Sequence, residues 1–399
     1  MDLKASIQEK AHTLFEETLE NRRHIHKHPE LSFEEEKTAS FVSAKLEGIG
    51  IPVQTGVAGH GVVGIIEGEK DGGGPVIALR ADMDALPIIE ENEVSYRSVN
   101  KGVMHACGHD VHTSSLLGTA RILHDIKSQF AGTIKLVFQP AEERFPGGAS
   151  LMIKDGVLEN PHVQAIYGQH VQPYLETGKI GIRKGMYMAS ADEIYMTVKG
   201  KGGHAAHPAT FIDPIIITSQ ILVTLQQVVS RSDPRIPSVL SFGTIRGEGA
   251  TNVIPDQVYV EGTFRTMNES WRAEAHKKIH DIAHNIAASF GATVDLDIKK
   301  GYPVLYNDEL RTEKAYQYIT EYVGEENVVD LDLWMAAEDF AYYTQEVPGC
   351  FYRIGTRNEE KGIIHGLHTS RFDIDEEVLK HSPGLMAWIA VNALQEKLA

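Results

Sequence analysis

The chain has 399 residues, 42% hydrophobic and 23% charged, the profile of a globular protein long enough for two domains and not of a disordered tail or a small stapled module. Lys and Arg total 38 against 55 Asp and Glu, a formal charge of −17, so the summed field repels phosphate backbones and anionic lipid head groups. This argues against a nucleic-acid or membrane partner. No stretch is long and apolar enough for a membrane span. The N-terminal segment reads as a charged amphipathic helix without a signal-peptide core, which predicts a cytoplasmic protein. Two cysteines, Cys107 and Cys350, are too few for a disulfide framework, while 19 histidines make metal chemistry the first thing to test.

In chain order, hydrophobic periodicity predicts helices near residues 4–22 and 34–49, strands at 62–67, 75–79 and 133–138, and a helix at 111–127 before the last of these. Strands separated by helices point to an α/β layer with a mostly parallel sheet. After Gly185 the pattern changes to a strand at 192–198, a helix at 213–230, strands at 239–245 and 258–263, a helix at 269–290 and a strand at 293–298. That order is β-α-β-β-α-β, the split βαβ of a ferredoxin-like α+β domain. The helix at 213–230 carries Ile216, Ile217, Gln220, Leu222 and Leu225 as inward candidates. Beyond Gly301 the α/β pattern returns and ends in a predicted helix over 376–398. The expected organisation is a discontinuous domain of 1–184 and 300–399 with 185–299 inserted.

The densest polar cluster is Met104-His105-Ala106-Cys107-Gly108-His109-Asp110-Val111-His112. A thiolate and an imidazole two residues apart, with glycine between to let the backbone bend, can aim at one Zn²⁺, Co²⁺ or Ni²⁺ ion. The same residues also suit a solvated turn capped by Asp110. A second cluster, Phe138-Gln139-Pro140-Ala141-Glu142-Glu143-Arg144, follows a buried strand, where α/β sheets collect ligand-binding groups. One of its two carboxylates can bind metal while the other moves a proton, although taken alone the local residues favour a surface loop pairing with Arg144. His170 and His368 close apolar segments, and jointly Cys107, His109, Glu143, His170 and His368 make five metal-competent side chains. By contrast His276, His280 and His284 read as a solvated helix face, the three histidines His24, His26 and His28 do not fall on one helix face, and Cys350 reads as an inert buried thiol.

With these motifs in hand, the chain resembles the amidohydrolase branch of the dinuclear-metal aminoacylase and carboxypeptidase family, which contains hippurate hydrolases, indole-acetyl-amino-acid hydrolases and N-acetyldiaminopimelate deacetylases. The resemblance spans essentially the whole chain through seven ordered motifs: His26-Lys27-His28-Pro29-Glu30-Leu31-Ser32, Leu79 to Pro87 around Asp82-Met83-Asp84, the Cys107 and Glu142 clusters, Gly200 to Ala205, Thr251 to Asp256, and Glu338-Asp339-Phe340. It implies a metallopeptidase-like catalytic domain carrying an inserted lid and dimerisation domain. It further implies two divalent ions (Zn, Mn, Co or Ni) on Cys107, His109, Glu143, His170 and His368, with Glu142 as general base. By the same resemblance His204 stabilises the oxyanion, offered across a homodimer or a dimer of dimers, and Asn252 and Arg265 hold the substrate carboxylate. Asp82 and Asp84 stand behind the metal ligands, because Asp82-Met83-Asp84 replaces the peptidase branches' His-X-Asp ligand motif. This chain has Ala336-Ala337 where the family pattern has Gly-Gly.

The expected function is therefore hydrolysis of the amide of a small-molecule N-acyl amino acid. The alternatives are a metallo-carboxypeptidase or dipeptidase of the same family and a non-catalytic metal-binding protein. A cysteine hydrolase using Cys107 with His105 or His109 leaves Glu142, Glu143, His170 and His368 without a role.

Overall fold

In the computed structural model, which describes residues 2–396, the elements run α1 (Leu3–Thr13), α2 (Phe15–Lys27), α3 (Glu36–Ile49), β1 (Val53–Val57), β2 (Gly61–Glu67), β3 (Val76–Asp82) and α4 (His109–Asp125). They continue with β4 (Thr133–Gln139), α5 (Gly148–Lys154), β5 (Ala165–Glu176), β6 (Ile180–Ile182), β7 (Gly185–Met188), β8 (Asp192–Lys199), β9 (Gly203–His204), α6 (Pro214–Ser230), β10 (Ser238–Arg246), β11 (Val253–Ile254) and β12 (Gln257–Thr266). The remainder is α7 (Glu269–Ser289), β13 (Thr293–Lys300), β14 (Leu305–Asn307), α8 (Glu309–Val323), β15 (Val328–Asp330), α9 (Ala341–Glu346), β16 (Gly349–Arg357) and α10 (Ser382–Ala393).

The chain packs as two units: residues 1–185, 306–332 and 339–399 in the first, and 186–305 and 333–338 in the second. The first is built on an eight-stranded sheet of order β1-β2-β4-β3-β5-β16-β6-β15, parallel through β4, β3, β5 and β16 and antiparallel at β1-β2, β2-β4 and β16-β6. Ile77 and Leu79 on β3, with Ile134, Leu136 and Phe138 on β4, are fully buried, as a central sheet covered on both faces demands. α10 is apolar all round and buries Leu385, Met386, Ile389 and Ala390 against this core.

The second unit is an antiparallel sheet of order β10-β12-β8-β13 with α6 and α7, the connectivity of a split βαβ. Its core stripe on α6 is Ile217, Ile221, Leu225 and Val228, which corrects the expected inward set: Ile216 is 57% exposed and Gln220 faces solvent. Residues 333–338 join this unit through Ala189, whose N–H donates to the Trp334 and Ala336 carbonyls (3.1 and 3.1 Å). Neither Ala336 nor Ala337 has a positive φ, so alanine serves where the family pattern has glycine.

Three further expectations need correction. The first helix is two, because the chain turns at Leu14 between α1 and α2. The terminal helix is likewise interrupted: a 3₁₀ turn over Glu376–Lys380 precedes α10, because Pro383 offers no N–H and can stand only in a first turn. Residues 397 and 398 lie outside those described. His276 is not simply solvated, since its Nε2 sits 2.6 Å from Oδ2 of buried Asp192; His280 and His284 stack beside each other at 4.0 Å. Cys350 is buried, and burial pushes its thiol up to about 12. Among the described residues no helix is long and apolar enough to cross a membrane.

Candidate metal centre

The centre forms where three chain reversals of the first unit meet. Gly108, at φ 83°, starts α4, and a Cβ there would lie 2.4 Å from a Val171 methyl, so only glycine lets the backbone bend between Cys107 and His109. The strand β4 ends in Ala141 at φ 53°, and this turn sets Glu142 and Glu143. The third reversal carries His368 at φ 60°, its N–H held by the Ala106 carbonyl (2.8 Å). Left-handed backbone at two non-glycine residues costs on the order of 1–3 kcal/mol each and is typical of functional sites. His170 comes from β5, beside β3.

Cys107 Sγ lies 3.4 Å from His170 Nε2 and 3.3 Å from His368 Nε2, and the latter is 3.1 Å from Glu143 Oε1. His109 Nε2 is 4.0 Å from the same Glu143 oxygen. Donor atoms bound to one divalent ion at about 2.0–2.3 Å stand roughly 3.3–3.8 Å from one another, so these separations match a coordination shell. Three overlapping groups have ligand atoms within 4.8 Å: Cys107, His109 and His170; Cys107, Glu143 and His368; His109, Glu142 and Glu143. Overlap of this kind offers donors to more than one ion. Buried His109 Nε2 has no hydrogen-bond partner among the described residues, a cost of about 1–3 kcal/mol that a cation would remove.

Behind these atoms, Asp84 ties two of the reversals together. Its Oδ1 meets His109 Nδ1 (3.2 Å) and accepts the Glu142 N–H (3.0 Å), while Oδ2 accepts the Glu143 N–H (3.0 Å) and the Ser32 hydroxyl (2.6 Å). The result is that Nε2 of His109 faces the donors. Asp82 accepts from Arg80 (2.5 Å) and holds His112 Nδ1 (2.6 Å), and Val171 N–H donates to His112 Nε2 (2.9 Å). Both His112 nitrogens are thereby engaged. Sequence reasoning missed His112, and also the buried network of Arg80, Gln139 and Asp339, in which Asp339 accepts from Arg80 (2.7 Å) and Gln139 (2.8 Å) while its N–H donates to Glu142 Oε1 (3.4 Å). The Glu338-Asp339-Phe340 motif was the available signal.

Charge repeats the geometric argument. Burial pushes the Cys107 thiol well up, and Glu143, Glu142 and Asp82 push it further. Burial works to lower the His109 imidazole, yet Asp82, Asp84 and Glu143 outweigh it and raise the ring to about 10. His170 is held well below the usual range, first by burial and then by Arg353. Four carboxylates crowd one thiol and the buried imidazoles of His109 and His170, while the Arg80 guanidinium is paired with Asp82 and Asp339. A donor set of this composition fits divalent metal ions, whose charge reverses each of these preferences.

The remaining expected residues lie in the second unit. His204 on β9 pairs with Val253 on β11, and Ala205 N–H donates to the Asn252 carbonyl (3.0 Å), so His204 and Asn252 are neighbours. Ala206 N–H donates to His204 Nδ1 (3.1 Å), which leaves the proton of the neutral ring on Nε2. Arg265, on β12, donates to the Met335 carbonyl (3.1 Å), and burial lowers its guanidinium.

Residues 78–388 match the model of peptidase family M20/M25/M40. The chain belongs to this family. It is 41% identical over 391 residues to the Bacillus subtilis protein YhaA, which carries the provisional name of an amidohydrolase, covering 98% of each chain. Identity to thermostable carboxypeptidase 2 of Saccharolobus solfataricus is 39% over 396 residues, with 98% and 99% covered. The crystal structure of Bacillus subtilis YXEP, described as a dinuclear metal-binding peptidase of family M20, superposes at a TM-score of 0.83 with 35% identity, covering 96% of this chain and 99% of that one. This M20 protein is accordingly a metal-dependent amide hydrolase on an α/β fold.

Proposed function

We propose that the chain hydrolyses N-acyl amino acids to a carboxylic acid and a free amino acid, with two divalent ions held by Cys107, His109, Glu143, His170 and His368. The observation that carries this reading is the carboxylate of Glu142 beside the donor atoms, its Oε1 accepting the Asp339 N–H while the residue's own backbone N–H is held by Asp84. A site that only stored metal would gain nothing from a carboxylate poised there. The bound ions supply Lewis-acid polarisation of the amide carbonyl and a lowered pKa for water. Glu142 takes a proton from the attacking water as its oxygen bonds to the carbonyl carbon. It then delivers that proton to the nitrogen as the C–N bond breaks. His204 donates its Nε2 proton to the developing oxyanion, a contact worth about 3–4 kcal/mol of barrier. Arg265 and Asn252 hold the substrate carboxylate, the guanidinium by paired charge-assisted bonds. The relative named as a carboxypeptidase favours a second reading, in which the acyl group is itself an aminoacyl residue and the bond chemistry is unchanged.

Support for assembly with a second copy comes from the second unit, where Val223 on α6 is 73% exposed and Ile245 on the edge strand β10 is 56% exposed. Metal analysis with a screen of N-acetyl, N-benzoyl and indole-acetyl amino acids and dipeptides separates the substrate readings. Glu142→Gln should keep full metal and lose about 10²–10⁴ in rate, because the amide cannot accept the proton. A fully loaded variant within tenfold of the parent would remove Glu142 from the role of base.

A further inference from the structure

The first unit contains a cavity of about 250 Å³ lined by parts of α1, β6, α8, β16 and the start of α10, and none of the centre's donors borders it. In a chain of formal charge −17, no Asp or Glu lines it; the ionisable groups with polar heads there are Lys179, His381 and Tyr322. Tyr322 is 6% exposed, and burial alone raises its phenol above the ordinary range, with no charged or hydrogen-bonded neighbour for the hydroxyl among the described residues. Its hydroxyl reaches the first turn of α10, close enough that a Cβ on Gly384 would stand 2.1 Å from it.

That first turn is rich in unused donors. Among the described residues no side chain caps α10, and Ser382 turns its hydroxyl away to Ser115 (2.7 Å). Pro383 has no N–H, and Leu385 N–H returns to the His381 carbonyl (2.8 Å). The N–H groups of Ser382 and Gly384 are left without an acceptor among the described residues. A 12-residue helix places partial positive charge at this end. Lys179 spends two ammonium protons on Glu326 O (2.8 Å) and Asn327 Oδ1 (3.2 Å), which leaves the third. His381 and His12, with ring centroids 5.9 Å apart, stand at the same end of the helix.

From the cavity, the unpartnered hydroxyl of the buried Tyr322 side chain and the uncapped turn together, we propose that this is a binding site for a small oxyanion, a carboxylate or inorganic phosphate, separate from the metal centre. Tyr322 Oη, the Ser382 and Gly384 N–H groups and the third proton of Lys179 supply donors to its oxygens. The volume lies below that of a drug-sized pocket and suits a ligand of a few heavy atoms.

Titration calorimetry on the metal-loaded enzyme, with sodium acetate and with inorganic phosphate at constant ionic strength in chloride, tests the assignment. Tyr322→Phe and Lys179→Gln should each weaken binding of at least one of the two anions about tenfold, with urea midpoint, metal content and kcat measured without added anion unchanged. Loss of acetate binding identifies a carboxylate site, and loss of phosphate binding a phosphate site. Unchanged affinities in both folded variants would assign the binding to the metals and overturn the proposal. So would the absence of heat from either anion up to about 10 mM. Lys179 is only half-buried, so its variant keeps the test valid if Tyr322→Phe fails to fold.

Discussion

Buried ionisable residues near the centre carry the sharpest consequences at the residue scale. Glu35 is buried, one oxygen accepting the Ala141 N–H (2.7 Å) and the other without a partner among the described residues. Burial, and then the nearby Asp84 carboxylate, raises its pKa to about 7. Since its folded pKa lies above the unfolded one, the native state binds more protons between about pH 4.5 and 7, and stability falls as pH rises through that window. In chelator-treated protein the loss should reach at most about 3 kcal/mol by pH 8. Glu35→Gln, which cannot ionise, should flatten the profile in urea unfolding at pH 5 and pH 8. Metal loading should shrink the parent's loss, because nearby cations favour the ionised carboxylate. A parent profile as flat as the variant's would show that Glu35 ionises at no cost.

At the scale of elements, the decisive one is α4, whose first turn carries the ligand pair. Its anchorage is a buried network in which Asp110 accepts from Arg22 Nε (2.8 Å) and meets His26 Nδ1 (2.8 Å), while His26 Nε2 meets Glu90 (3.2 Å). Asp110 therefore ties α2 to α4 and does not cap the helix, the position taken by Gly108. The alternating histidines of the sequence divide accordingly: His26 turns inward to this network, while His24 and His28 lie one helical turn apart with centroids 4.9 Å apart. Gly108→Ala must adopt an unfavourable φ, about 1–2 kcal/mol, and push its methyl into Val171. We expect metal affinity to fall at least about tenfold and the urea midpoint to drop, because Cys107 and His109 can no longer aim together. Metal titration giving parental affinity would show that the bend at residue 108 is not required.

For the whole molecule, the proposed machinery is divided between two units: the metal donors and Glu142 in the first, His204, Asn252 and Arg265 in the second. If a dimer completes each centre with the partner's His204, then a mixture of His204→Ala and Glu142→Gln chains, each inactive alone, should regain activity. With random exchange about half the dimers are hybrid, each with one intact centre. Recovery near a quarter of the parental rate is then expected for independent sites. No recovery after demonstrated exchange would place His204 within its own chain's centre.

What the sequence determined by itself was everything set by short range. Periodicity two and 3.6 located most strands and helices, and the Cys107-Gly108-His109 and Glu142-Glu143 pairs stood out because their spacing is a local property. Elements whose ends depend on proline or on burial partners were misjudged, as at Leu14, Ile216 and Pro383. Tertiary structure alone decided how donors separated by 63 and 261 residues come within 3.4 Å of one thiol. It also decided that Asp84 and Asp82 fix the rings of His109 and His112, and that His112 and His26 are held inside while His280 is not. These are outcomes of chain reversals and desolvation, which depend on what packs against a residue and leave no mark in its neighbours along the chain.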